Sequence, residues 1–520
     1  MKRITHQILT ILNPLASQSP SRESLLVLSD VHLGSDLNDH PQPAGFGRRS
    51  KRVDEDLARL LDHYARTPPA SGPGARWRIV FAGDFIDFIG MAILPKTSDA
   101  DERLATEPSD EEREHGLGNA ADHARAKMRK VGARHSEVFA ALASFVAQGN
   151  ALTIVHGNHD VEFHWGAVRD EFRAILVGHA RARARADERA ALATAAGDAA
   201  PCEAFDAGAF EARIDFNPWF FYADGVAYIE HGHQYDALCA SEHVMAPESA
   251  IDPRRIARGF SDVLLRFVVR PTRGLKEHGH ERMGIADYLL FGARLGFFGL
   301  FKLGSSFARA VMELLRVHRA SISEAAKRLR EEHERRIAAF ASQGRFDLDR
   351  LRQLVALQTP PITHSIRGIL ASVLLDRLLL ALVSIAALVV AGVLGFSHAW
   401  FWIGGACVVL GWVVTHRYLA KSRKLDPDEM LVDRAGRLAK LFPAAFVVMG
   451  HTHTPVQVAV AEGASTYINV GSWSEQEDDS LLEHGYRAAR THLVIHSAES
   501  GPVAEFLAWD SSAGPRRFVA

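Results

Sequence analysis

"IVHGNHDVEFHW", residues 154–165, ends a short apolar run in a knot of coordinating side chains. His156, Asn158, His159, Asp160 and Glu162 crowd its centre, and Gly157 is the only relief. Packing gives a buried strand no reason to end this way. A metal site or a proton-transfer site does.

The same pattern recurs along the chain. Apolar strand candidates at 25–30, 77–84, 152–158, 226–232 and 445–451 are each followed by polar residues. Those ends read "SDVH" (Asp30, His32), "GDFID" (Asp84, Asp87), "GNHD" (Asn158, His159, Asp160), "HGH" (His231, His233) and "GHTH" (His451, His453). Further strands are expected at 465–472, 491–497 and 503–509, the last ones close enough in sequence for an antiparallel edge. Helical stretches, among them 54–65 and 120–147, separate the early strands, so the fold class is α/β layered. In such sheets ligands bind beyond the carboxyl ends of the strands. Singly, an Asp-x-His reads as a turn with a surface histidine, and "HGH" as a satisfied loop. Five clusters in order, each after an apolar run, read as one site.

Two aspartates, an asparagine carbonyl and several imidazoles form a mixed oxygen and nitrogen donor set. It suits Mn²⁺ best, with Fe or Zn²⁺ as alternatives, rather than Ca²⁺ or Mg²⁺. So many donors exceed the needs of one ion, and two ions about 3.5–4 Å apart with a bridging carboxylate would use them. The sequence offers no G-x-S-x-G elbow and no G-x-x-x-x-G-K phosphate loop.

The motifs "LSDVHLG", "AGDFID", "HGNHD", "EHGH" and "MGHTH" resemble the calcineurin-like metallophosphoesterases in order and spacing. The resemblance covers about 24–236 and 440–510. It implies a four-layer α/β/β/α fold and a dinuclear centre that hydrolyses phosphoesters or pyrophosphates with a hydroxide held by the metals. It further implies that Asp30, His32, Asp84 and His453 hold one ion and that Asp84, Asn158, His231 and His451 hold the other, with Asp84 bridging. His159 would be catalytic, as a proton donor or a stabiliser of phosphoryl oxygens, oriented by Asp160. "HGNHDVEF", "GDFIDFIG" and "NVGSW" are most similar to the bacterial UDP-2,3-diacylglucosamine pyrophosphatases. That branch generally has Arg where this chain has His159, and Val470 stands where the family commonly has proline.

Composition bounds the rest. The chain has 520 residues, and 60 basic against 62 acidic side chains make no case for nucleic-acid binding. Cys202, Cys239 and Cys407 are few and scattered, which fits a reducing compartment. The apolar run at 8–12 is too short for a secretory leader. The acidic stretch 97–116 reads as a solvated loop, and 181–201 as a polar helix or linker.

Between 237 and 440 the strand pattern gives way to helices, an expected insertion dividing the metallophosphoesterase-like domain into 24–236 and 441–510. Within it, 378–396 and 399–415 carry no charge and predict a two-helix transmembrane hairpin, with a buried helical hairpin of a soluble domain as the alternative; flanking cations favour the cytoplasmic side for a span. The expectation is thus an enzyme anchored in the cytoplasmic (inner) membrane, its catalytic domain on the cytoplasmic face. Its favoured substrate is a lipid-linked or nucleotide-lipid phosphoester, and the Phe-rich helices at 285–315 read equally as a bilayer and acyl-binding surface or as buried core. The alternatives are a phosphatase or phosphodiesterase on a soluble substrate and an inactive membrane-tethered scaffold.

Overall fold

The computed structural model describes residues 23–39, 46–72, 74–95, 104–194, 205–272, 296–372, 375–393, 398–421, 427–474, 490–498 and 500–518. The N-terminal stretch, Cys202, residues 285–295 and the turn at Ser397 lie outside the described residues.

Two sheets carry the chain. The first contains parallel strands β1 (Glu23–Leu28), β2 (Arg76–Ala82), β3 (Ala151–Val155) and β4 (Ile214–Asn217). On the other side of β1 it continues antiparallel into β10 (Thr491–Ala498), β11 (Gly501–Asp510) and β12 (Gly514–Arg517). The second sheet runs in the order β5 (Phe220–Ala223), β6 (Gly225–Glu230), β7 (Ala444–Met449), β9 (Ser465–Asn469), β8 (Val456–Val460). Its β6, β7 and β9 are parallel. Tyr228 pairs with Val447, so the whole inserted segment loops out between two neighbouring strands.

The strand sequences explain the layers. Leu25, Val27, Val80, Ala82 and Val155 face Ala227, Ile229, Val448, Ile468 and Val470 of the other sheet. Their neighbours Leu26, Leu28, Ile79, Phe81 and Ile154 face the helices outside. Strands buried on both faces need continuous apolar runs. The outer helices of the first sheet are α1 (Phe46–Arg66), α2 (Ala121–Arg134), α3 (Ser136–Ala147) and α4 (Gly166–Thr194). The second sheet is covered by α5 (Glu324–Gly344), α6 (Leu348–Leu357) and α9 (Pro427–Leu441) through Ile337, Phe340, Leu354, Leu431 and Leu438. Part of the insertion is thus the outer layer of the second sheet.

One expected helix, 120–147, is two. The break falls at His135, whose backbone leaves the helical region at φ −103°, ψ 33°. Its Nδ1 meets Asp54 at 2.8 Å and its Nε2 accepts from the Gly34 N–H at 3.0 Å. The side chain that interrupts the helix thereby pins the loop that follows β1. Salt bridges from Arg258 to Glu111 (2.8 Å) and from Arg336 to Glu248 (2.7 Å) hold further parts of the insertion in place.

The transmembrane hairpin expected at 378–396 and 399–415 requires correction. Among the described residues, no helix is long and apolar enough to cross a membrane. The first hairpin helix, α7, is described over Leu375–Val393. The second, α8, is described over His398–Lys421. The assignment of these two segments as transmembrane helices is therefore withdrawn.

Phe163 sits fully buried where the aromatic rings of Phe88, Phe172 and Phe216 meet, with centroids 5.6, 5.7 and 5.1 Å away. Truncation there leaves a cavity between the first sheet and its helices. Phe163→Ala is expected to cost about 3–5 kcal/mol, measured by urea denaturation. A loss below about 1 kcal/mol would show that this aromatic cluster does not carry the layer.

Candidate metal centre

Five of the loops at the carboxyl ends of parallel strands meet at one place. Asp30 and His32 follow β1, Asp84 follows β2, Asn158 follows β3, His231 follows β6, and His451 and His453 follow β7. The first three strands belong to one sheet and the last two to the other. The loops are zipped together by their backbones: Asp30 N–H donates to Gly83 O, His32 N–H to Asp84 O, and Gly450 N–H to His231 O.

This closeness has a conformational cost. Among the described residues eight non-glycine residues have positive φ, and five of them are Asp30, His32, Asp84, His451 and His453. Left-handed backbone at such residues is unfavourable and concentrates at functional sites. Two glycines are required by contact alone. A methyl at Gly157 would lie 2.0 Å from Asp84 Oδ1, and one at Gly450 would lie 2.2 Å from Asp30 Oδ2. The stretch "NVGSW" braces the same loops. Asn469 donates through Nδ2 to Gly450 O at 2.7 Å, and Ser472 Oγ and Trp473 N–H both donate to Asp30 O at 3.0 Å.

Side-chain distances define two overlapping donor sets. In the first, Asp30 Oδ1 lies 3.0 Å from His453 Nε2 and 3.8 Å from His32 Nε2. In the second, His231 Nε2 lies 3.2 Å from Asp84 Oδ2 and 3.1 Å from Asn158 Oδ1. Asp84 Oδ2 is also 3.8 Å from His32 Nε2, so this carboxylate reaches both sets. Ligands bound about 2.1 Å from one ion stand about 3.0–3.4 Å apart, close to these spacings. His231 gives its Nδ1 to Ala82 O at 2.9 Å, which fixes the ring and aims Nε2 at the cluster. His451 stands with its ring 5.3 Å from that of His231, and its Nε2 is 3.2 Å from Asp236 Oδ2.

The electrostatics point the same way. Burial alone would raise the Asp30 carboxyl, but His453, His231 and His32 hold it well below the carboxylate range. Burial likewise opposes ionisation of Asp84, and His231 and His159 overcome it. Burial disfavours charge on His231 too, yet Asp84 and Asp30 push its pKa up to about 9. Two ionised, buried carboxylates demand positive charge beside them, which the neighbouring imidazoles supply when protonated and a divalent cation could supply in their place.

The other residues of the opening stretch divide. His159 Nδ1 is 2.7 Å from Asp87 Oδ1, and its ring stands edge-on to His32 at 4.6 Å. Asp87, three residues after Asp84, is therefore the carboxylate that orients His159. Asp160 instead accepts the backbone N–H of Gly157 and of Phe85, holding the loop, and burial beside Asp84 raises its pKa to about 7. His156 is tilted against Phe163 in the core, where burial keeps it well below the ordinary histidine pKa. Glu162 is buried away from the donor sets, its pKa raised to about 8 by burial despite Lys127 nearby. His233 is buried with its Nε2 2.9 Å from the Gln234 amide.

Asp87 was visible in "GDFID" but without a role, and Asp236, five residues beyond His231, carried no signal beyond being an acid close to "HGH". No family model matches the chain, and no curated protein does either.

Gly157→Ala forces a methyl onto the Asp84 carboxylate without touching the hydrophobic core. The variant is expected to keep the wild-type far-UV circular dichroism and to retain less Mn²⁺ after dialysis. Unchanged Mn²⁺ content would contradict the role given to this close approach.

Proposed function

We propose that the chain is a two-metal hydrolase of phosphoesters or phosphoanhydrides, of the calcineurin-like metallophosphoesterase kind. The observation that carries this reading is the meeting of five strand-end loops from two sheets, with left-handed backbone at five of their donor residues. Asp30, His32, Asp84 and His453 would hold one cation, and Asp84, Asn158, His231 and His451 the other. The donor set favours Mn²⁺, with Fe or Zn²⁺ as alternatives. Such a pair of ions draws charge from the phosphoryl oxygens and makes hydroxide available near neutral pH.

The protein's own residues supply position and a proton. Asp84 lies between the two donor sets and sets their separation. Asp87 engages His159 at Nδ1, so a proton can leave this ring only from Nε2. The His159 side chain is 12% exposed, at the rim rather than the floor of the site, where a leaving oxygen would depart. Asp160 keeps the backbone beneath His159 in register with Asp84, whose Oδ1 accepts the His159 N–H at 2.8 Å. No serine or cysteine nucleophile is required by this arrangement.

His159→Ala tests the assignment with two aryl or alkyl phosphodiesters of different leaving group. With Mn²⁺ present, the variant should keep both ions yet lose roughly 10²–10⁴ in rate on an alkyl leaving group. The loss should shrink for nitrophenolate, which needs no proton. Equal losses on both substrates would remove the proton-donor role. Absence of any Mn²⁺-dependent hydrolysis by the wild type across phosphomonoesters, diesters and pyrophosphates would overturn the reading itself.

A further inference from the structure

The insertion begins beside the donor sets. After His231 the chain makes a tight turn through His233–Tyr235 to Asp236, which is buried. The two Asp236 carboxylate oxygens are divided between two tasks. Oδ1 accepts the Leu238 N–H at 2.9 Å, fixing the first turn of the insertion, and Oδ2 meets His451 Nε2 at 3.2 Å. The backbone around Asp236 is clamped from further along the insertion. Thr359 N–H donates to Gln234 O and Thr359 Oγ1 to Tyr235 O, while Ile362 N–H donates to Ala237 O.

A histidine that donates one ring N–H to a carboxylate is fixed in tautomer and orientation, and its other nitrogen is left with a lone pair for a metal. With Nε2 turned to Asp236, Nδ1 is the nitrogen that His451 can offer toward His231 and Asn158. Asp236, Cys239 and His451 also form a donor group of their own, with ligand atoms within 4.8 Å of one another. The direct contact between Asp236 and His451 makes orientation of the imidazole the simpler use of that group.

We propose that Asp236 is a positioning residue through which the insertion sets the affinity of the ion held by Asp84, Asn158, His231 and His451. The proposal rests on the two-metal reading. It gives the insertion a task at the centre beyond covering the second sheet: the clamp from Thr359 and Ile362 holds the carboxylate that holds the ligand.

Mn²⁺ titration of the full chain, followed by electron paramagnetic resonance, separates the two ions. The wild type should take up two. Asp236→Asn keeps an oxygen for the Leu238 N–H but removes the charge facing His451. One of its two ions should bind 10–100-fold less tightly, on the scale of lost carboxylate support to a ligating histidine, while the other is unchanged. Asp236→Glu, which restores the charge, should recover part of that loss, and circular dichroism should show both variants folded. Unchanged affinity for both ions in Asp236→Asn, or equal weakening of both, would overturn the inference while leaving the two-metal reading intact. A wild type that binds fewer than two ions would overturn both.

Discussion

Two carboxylates, Asp30 and Asp84, are buried side by side, and one imidazole nitrogen of His231 lies within 4.0 Å and 3.2 Å of them. Ionised groups in a dry interior repel each other and have lost their hydration, so the arrangement is stable only with positive charge between them. Everything near the centre follows from that demand. The imidazoles of His32, His231 and His453 turn nitrogens toward the carboxylates, and the loops that carry them accept strained backbone to do so.

The two-sheet architecture is what makes this convergence available. One sheet alone would place its strand ends along a line. With the sheets packed face to face through Val27, Val80, Ile229 and Val448, the ends of β1, β2 and β3 stand opposite those of β6 and β7. The two halves then close on each other through backbone hydrogen bonds, and "NVGSW" after β9 braces Asp30 and Gly450 at once. The inserted segment leaves and rejoins at adjacent strands, so its length does not disturb the register between Tyr228 and Val447.

The parts legible in the sequence were those fixed by local chemistry. Continuous apolar runs ending in glycine and coordinating residues marked the strands and the donors, because burial on both faces and close approach at the ends leave few residue choices. What depended on partners distant in sequence was not legible. Nothing in "HGNHD" says that Asp160 turns to the backbone of Gly157 and Phe85 while Asp87 takes His159. His156 stands in the same polar knot yet packs into the surrounding core against Phe163. His135 breaks a helix of good local propensity because Asp54 and Gly34 claim its ring. The apolar runs at 378–396 and 399–415 read as spans from composition, yet among the described residues no helix is long and apolar enough to cross a membrane.

The central claim is that two cations sit on either side of one carboxylate, Asp84. Anomalous diffraction at the manganese edge, from crystals of the protein grown with Mn²⁺, tests it most directly. The account predicts two peaks about 3.5–4 Å apart, flanking the Asp84 carboxylate, one against His32 and His453 and the other against His231 and Asn158. A single peak, or peaks that leave Asp84 uncoordinated, would contradict it.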